Sequence, residues 1–302
     1  MSRSTVQKMV VISLFLGVGA PVTAQIVGAC RFDVSLRQFQ GTPPQQAQCL
    51  LRHVARWGKV SADPAVLPPA LEKLVGKPVT IRREQLRTHL VASGLVESAV
   101  GGKLDAPIGA RYFVIHDTSS PWLGNRNFPA DNASVLNNLA SYKKVDAVAH
   151  IFVSRTGQTL LGHNFNVPWR ATKLETKLIG AAARGLFLHV ELLQPRRRDP
   201  AGGPKNDALA PTPGFTVVQY ERLALLYTAA SVRAGFWLIP AMHAPIDEGQ
   251  VGAHDDPQNF VLAEFVAALE RLLLPLVGTG SEQQPALAFP ALSTASPPAG
   301  SR

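Results

Sequence analysis

A chain of 302 residues with 46% hydrophobic content is large enough for one substantial core and a smaller accessory unit. Beyond its first residues it has no stretch of the roughly 20 unbroken apolar residues that a helical membrane span requires, so a soluble mature protein is expected. The formal net charge of +9 favours polyanionic partners without choosing among them.

The N-terminus sets the compartment. Arg3 and Lys8 precede the apolar run Val10 to Gly17, and Val22 and Ala24 supply the small residues of a cleavage site before Gln25. This is the pattern of a signal peptide over residues 1–24. Removing it takes the net charge from +9 to +7. Export sets nucleic acid aside as a partner, and a cell wall bearing free carboxylates becomes the better match. It also changes the reading of Cys30 and Cys49, because the only two cysteines of an exported chain most often pair. The rival is a lipid-modified Cys30 after Val27-Gly28-Ala29, although the apolar run ends well before that box.

Residues 25–105 read as a small, mainly helical unit. A helix is expected around Cys49 to Val54, another after Pro68-Pro69, a brief strand over Val79–Ile81 and a helix over Gln85–Ser93. Gly101-Gly102 and Pro107 punctuate the chain. Nothing in this unit has recognisable chemistry. Residues 106–278 change pattern. Tyr112–Ile115, His150–Ser154, Gln158–Leu161 and Leu186–Leu193 are short apolar runs of strand length. The stretch from Arg196 to Gly214 reads as a long loop. Thr216 opens a helix with capping-box spacing to Gln219, Phe236–Pro240 leads to His243, and Asn259–Leu274 forms a closing helix. Residues 279–302, rich in Pro, Ser, Ala and Gly, are expected to be disordered. The alternation predicts an α/β fold with a mixed central sheet flanked by helices.

Four residues of this second unit could do chemistry together. His116 ends an apolar strand, His243 follows another, Asp256 precedes Pro257, and Glu191 lies inside a strand where a carboxylate is costly unless paired or used. Two imidazoles and one carboxylate are an open zinc ligand set with a fourth position for water. Each has an ordinary alternative: a strand-end histidine is often a hydrogen-bonded structural residue, Asp-Pro starts turns, and an arginine would neutralise Glu191.

Their order and contexts are more specific than any one of them. Phe113-Val114-Ile115-His116-Asp117-Thr118, Ala149-His150-Ile151-Phe152-Val153 through Gly157, Leu188-His189-Val190-Glu191-Leu192, Met242-His243 and His254-Asp255-Asp256-Pro257-Gln258-Asn259-Phe260 occur in the order of five segments of a known family. Residues 111–274 thus resemble the type 2 N-acetylmuramoyl-L-alanine amidases, whose fold is shared with peptidoglycan recognition proteins and phage lysozyme-type amidases. The resemblance implies one Zn2+ held by His116, His243 and Asp256, with Glu191 as general base and His254 helping to stabilise the oxyanion. Trp169 and Arg170 would contact sugar and peptide, and His150 would support the ligands from behind or simply fill the core. The implied substrate is peptidoglycan or muropeptides, and the implied location the periplasm. Departures are visible: His254 replaces a lysine, Gln258 a glycine, Arg170 a histidine, and Thr156-Gly157 an Asp-Gly turn. Two other classes compete with the enzyme: a non-catalytic peptidoglycan-binding protein on the same fold, which typically lacks a zinc ligand, and a structural envelope protein.

Overall fold

The computed structural model describes residues 25–139, 148–203 and 206–278. The expected signal peptide (residues 1–24) and disordered tail (residues 279–302) lie outside the described residues. The fold is α/β, with a mixed five-stranded sheet.

The chain begins with three two-residue strands, β1 (Ile26–Val27), β2 (Phe32–Asp33) and β3 (Gln38–Phe39), forming a small antiparallel sheet. Helices α1 (Pro43–Leu50), α2 (Pro69–Leu74) and α3 (Arg83–Ala92) follow. Thr42 caps α1 in a reciprocal box with Gln45. The first unit is therefore mainly helical, as the sequence indicates. Cys30 and Cys49 form a disulfide that ties the small sheet to α1.

The central sheet is built from β4 (Tyr112–Asp117), β5 (Ile151–Val153), β6 (Thr159–Leu161), β7 (Phe187–Leu192) and, later, β10 (Ile239–Met242). Its order is β10-β4-β7-β5-β6, with only the β5–β6 pair antiparallel. Parallel strands covered on both faces need continuous apolar runs, and every residue of β4, β7 and β10 is buried. A hairpin of β8 (Arg197–Gly203) and β9 (Asn206–Leu209) precedes α4 (Val217–Ala234), and β10 runs into α5 (His243–Asp247) and later α6 (Leu262–Gly278).

Alternation along the strands sends side chains to two faces. On one, Phe113 meets Tyr227 of α4, whose ring also packs on Phe265 of α6. On the other, Tyr112 stacks on Phe187 at 5.0 Å between centroids, and Phe39 meets Tyr112 edge-on at 5.1 Å while Phe32 packs against Phe39. The small N-terminal sheet thus covers the face that bears Tyr112, Val114 and His116. Its Phe39 N–H donates to the Tyr112 hydroxyl at 2.9 Å, and that hydroxyl donates to Gln46 Oε1 at 3.0 Å. Burial pushes the Tyr112 hydroxyl up to about 12. Buried apolar residues of the N-terminal unit and of the sheet form one continuous core.

Five local expectations differ from the structure. The helix expected around Cys49 to Val54 is only the end of α1, which stops at Leu50, and Val54 makes an isolated bridge to Val60. Arg196–Gly214 is not simply a loop, since it contains the β8–β9 hairpin, whose strands Arg-Arg-Asp-Pro-Ala-Gly-Gly and Asn-Asp-Ala-Leu show no apolar alternation. Val79–Ile81 is not a strand; only Pro78 makes an isolated bridge, to Phe236. The strand leading to His243 begins at Ile239 rather than Phe236. The closing helix starts at Leu262 because Asn259 takes a left-handed φ of 58°, which a right-handed helix cannot contain.

Candidate metal centre

Strand register assembles the site. In β4 and β7, His116 pairs with Glu191. In β10 and β4, Met242 pairs with Ile115, so His243, one residue further, arrives beside His116. His243, His116 and Glu191 thus form a row across the carboxyl ends of three parallel strands, the edge at which open α/β sheets bind ligands. Asp256 comes from the loop before α6. Its carbonyl accepts from Ala244 N–H at 2.8 Å, and its Oδ2 accepts the Asp117 N–H at 3.1 Å.

That loop is itself held by a buried ion pair. Arg196 Nη2 reaches both Asp117 oxygens, at 2.9 and 2.7 Å, and Asp117 Oδ2 also accepts the Gln258 N–H at 3.1 Å. Arg196 and Asp117 are almost completely buried, and here the arginine neutralises Asp117 rather than Glu191. Gln258, where the resembling family has glycine, is buried and donates from Nε2 to Asp255 at 2.6 Å.

His116, His243 and Asp256 converge, with one ligand atom from each lying within 4.8 Å of the others, so the group could hold a metal ion. His116 Nδ1 is 2.9 Å from His243 Nδ1 and 3.7 Å from Asp256 Oδ2; His243 Nδ1 is 3.0 Å from Asp256 Oδ1. Tetrahedral zinc with bonds near 2.05 Å separates its ligand atoms by about 3.3 Å, and the observed spacings bracket that value. The far nitrogens are already engaged. His243 Nε2 meets Asp247 Oδ2 at 2.9 Å and His116 Nε2 meets His189 Nδ1 at 3.0 Å. With hydrogens on those outer nitrogens, both Nδ1 lone pairs point inward, which is what a metal requires.

The electrostatics agree. Burial opposes protonation of His243, but Asp256 and Asp247 prevail and raise it to about 10; the position favours a cation. Burial, then the charge of His243, holds His116 well below the usual histidine range. Burial works to raise Asp256, but His243 holds it below the usual carboxylate range. Glu191 is driven well above it by burial and by Asp256 and Asp117. Its Oε1 lies 4.0 Å from His116 Nδ1, and its Oε2 is buried with no hydrogen-bond partner among the described residues. A proton-hungry carboxylate thus stands beside the ligand cluster with an oxygen unused.

The remaining expected site residues sit at different distances from this cluster. His254 stacks on His243 with centroids 4.4 Å apart and places Nδ1 3.7 Å from Asp256 Oδ1, with its side chain 52% exposed. Burial and the charge of His243 lower its pKa. His150 does not touch the ligands directly: it stacks on His189 at 5.7 Å and accepts that residue's N–H on Nδ1. Trp169 stacks on His163 and donates to the Val148 carbonyl, and Arg170 is exposed. Neither makes a hydrogen bond or ion pair with the ligand cluster among the described residues. Three residues that the sequence reading passed over are part of the centre: His189, Glu175 and Asp247. The only sequence signals were the position of His189 two residues before Glu191, on the same strand face, and the Thr172-x-x-Glu175 capping spacing.

A cavity of about 420 Å³, lined by residues that include Arg37, Arg184, Phe165 and His150, contains none of the ligand cluster. No helix of the described residues is long and apolar enough to cross a membrane. Comparison with family models, curated proteins and solved structures gave no match for this chain.

Proposed function

We propose that this chain is a zinc-dependent amidase of the cell envelope. It would hydrolyse the amide between the lactyl group of N-acetylmuramic acid and L-alanine in peptidoglycan or its fragments. The observation that carries the reading is the buried His116–His243–Asp256 cluster with Glu191 at its edge, of raised proton affinity and with Oε2 lacking a hydrogen-bond partner among the described residues. The substrate class rests on the resemblance of the five ordered segments to type 2 amidases. The disulfide is consistent with an oxidising compartment such as the periplasm.

In this reading His116, His243 and Asp256 would hold zinc, which would supply Lewis acidity and lower the pKa of a water toward neutral pH. Glu191 takes the proton of the attacking water and delivers it to the departing amine nitrogen. The direction of the shift, upward from the ordinary carboxylate range through burial and the charges of Asp256 and Asp117, is the one that a group accepting and returning a proton needs. His254, half exposed beside His243, faces the developing oxyanion. Trp169 and Arg170 would meet sugar and peptide further along the surface.

The test is product analysis by mass spectrometry on purified sacculi and on anhydro-muropeptides, with zinc content measured on the same sample. The expected result is about one zinc per chain and release of peptides with a free L-alanine amino group. Glu191→Ala should keep the metal and lose roughly 10²–10⁴ in rate. Muropeptide binding without turnover in the native chain would replace the enzyme by a non-catalytic binding protein. Absence of bound zinc would reject the metal reading altogether.

A further inference from the structure

Behind His116 stands a second imidazole, and behind that a carboxylate. His116 Nε2 lies 3.0 Å from His189 Nδ1, and His189 Nε2 lies 3.2 Å from Glu175 Oε2. His189 and Glu175 have completely buried side chains. Register explains the first contact: His189 opposes Val114, two residues before His116, so the two imidazoles are diagonal neighbours on one sheet face. Glu175 arrives from a short π-helical turn, Leu174–Ile179. Its Oε2 accepts from the Ala171 N–H at 3.2 Å, the Thr172 N–H at 3.1 Å and the Thr172 hydroxyl at 3.0 Å. Its own N–H returns to Thr172 Oγ1 at 3.1 Å, a reciprocal box that fixes the carboxylate in place.

The metal reading fixes the hydrogen placement along this chain. For His116 to present a lone pair on Nδ1, its hydrogen must sit on Nε2, and His189 Nδ1 is the acceptor there. The hydrogen of His189 then sits on Nε2. Among the described residues that atom has no partner of good hydrogen-bond geometry, and Glu175 Oε1 has none; the Glu175 Oε2 carboxylate oxygen lies 3.2 Å from it as an ion-pair contact.

We infer that His189 and Glu175 are positioning residues for the metal ligand His116. Glu175 keeps the hydrogen of His189 on Nε2, His189 Nδ1 takes the hydrogen of His116, and His116 is thereby held with Nδ1 toward the metal. The inference rests on the metal reading of the triad. The same short segment also serves the second histidine: the N–H groups of Lys173 and Leu174 each donate to Asp247 at 2.9 Å, and Asp247 meets His243 Nε2. Residues 172–175 therefore orient both imidazole ligands from one piece of backbone. Outer partners of this kind raise ligand basicity and fix ring orientation.

Zinc affinity, measured on the full chain by competition with a chromophoric chelator, tests this without recourse to activity. His189→Leu removes the acceptor and should weaken zinc binding about 10–100-fold. His189→Asn places a side-chain oxygen where Nδ1 was and should recover much of that loss. Glu175→Gln keeps the shape and loses the charge, and should fall between native and His189→Leu. Cobalt substituted for zinc should show an altered visible spectrum in His189→Leu and a near-native one in His189→Asn. A packing role alone predicts the opposite order, because leucine fills a buried apolar site better than asparagine. Native zinc affinity in His189→Leu, or tighter binding there than in His189→Asn, overturns the inference. Native affinity in Glu175→Gln removes Glu175 from it. A native chain that fails to bind zinc fails the triad itself, a result separable from any variant ordering.

Discussion

His150 shows what a fully engaged imidazole does to stability. Its Nδ1 accepts the His189 N–H and its Nε2 donates to the Val167 carbonyl, each at 3.0 Å, which leaves room only for the neutral ring. Burial, helped by the nearby His189, lowers its pKa to about 3. The folded pKa therefore lies below the unfolded one, near 6.5. Below that value the unfolded chain takes up a proton that the folded chain refuses, so stability falls as pH drops from about 6.5 toward 3, by up to about 1.4 kcal/mol per pH unit from this group. Chemical denaturation at about pH 6 and about pH 4 should show a shallower loss in His150→Asn than in the native chain; an equal loss would mean that His150 does not titrate this way. His254 poses a different question, since a lysine of the resembling family is replaced by a ring whose pKa is lowered by burial and His243. A neutral ring still donates through N–H. In the amidase reading, His254→Ala should lower turnover about tenfold or more near neutral pH with zinc retained, and His254→Lys should keep most of it. Unchanged kinetics in His254→Ala would leave the residue no part in the chemistry.

Among the elements, those that could be read from the sequence are the ones whose environment is uniform. β4 and β7 are buried along their whole length, and their apolar runs say so. The start of α4 is written in Thr216 and Gln219, whose side chains cap it as expected. The β8–β9 hairpin was illegible because it is held by contacts distant in sequence. Asp199 binds the Arg56 guanidinium and accepts from Trp57 Nε1 at 2.9 Å, and nothing within its own strand announces this. His116 and His243 of the candidate metal centre were legible because one ends and the other follows an apolar strand, and Asp256 because it precedes Pro257. Glu175 was not, because a glutamate in Thr-Lys-Leu-Glu reads as a solvated helical position until the fold buries it. The disulfide belongs to this scale too. It spans 19 residues and joins the small sheet to α1, and near it Arg52 pairs with Glu248 just after α5 at 2.6 Å. Replacing both cysteines by alanine should cost about 3 kcal/mol by loop entropy, readable as a lower denaturation midpoint. A midpoint unchanged from the native chain would show that α1 is held without it.

For the whole molecule, the N-terminal unit is part of the site-bearing domain's core. Phe32 and Phe39 pack over Tyr112 and Phe187, and Gly58, at φ 68°, sits so close to Asp255 that a Cβ there would lie 2.2 Å from the Asp255 Cβ. A chain beginning at residue 106 should therefore lose its sharp thermal transition and near-ultraviolet dichroism, having exposed the aromatic face of its sheet. Cooperative unfolding of that fragment would show instead that the unit is dispensable.

The way α1 and the segment before α3 meet β10 has a consequence for assembly. Among the described residues β10 is an outer strand of the sheet, hydrogen-bonded to β4 on one side, while α1 packs against it. Just before it, Gly76 N–H donates to the Trp237 carbonyl, Trp237 N–H to the Lys77 carbonyl and Val79 N–H to the Gly235 carbonyl. An uncovered outer strand is a template for pairing with other chains, and here the cover comes from far earlier in the sequence, from α1 at Pro43–Leu50 and from residues 76–79. Such distant pairings slow folding. Loosening α1 or residues 76–79 from their places would bare the outer edge of β10 to a neighbouring molecule.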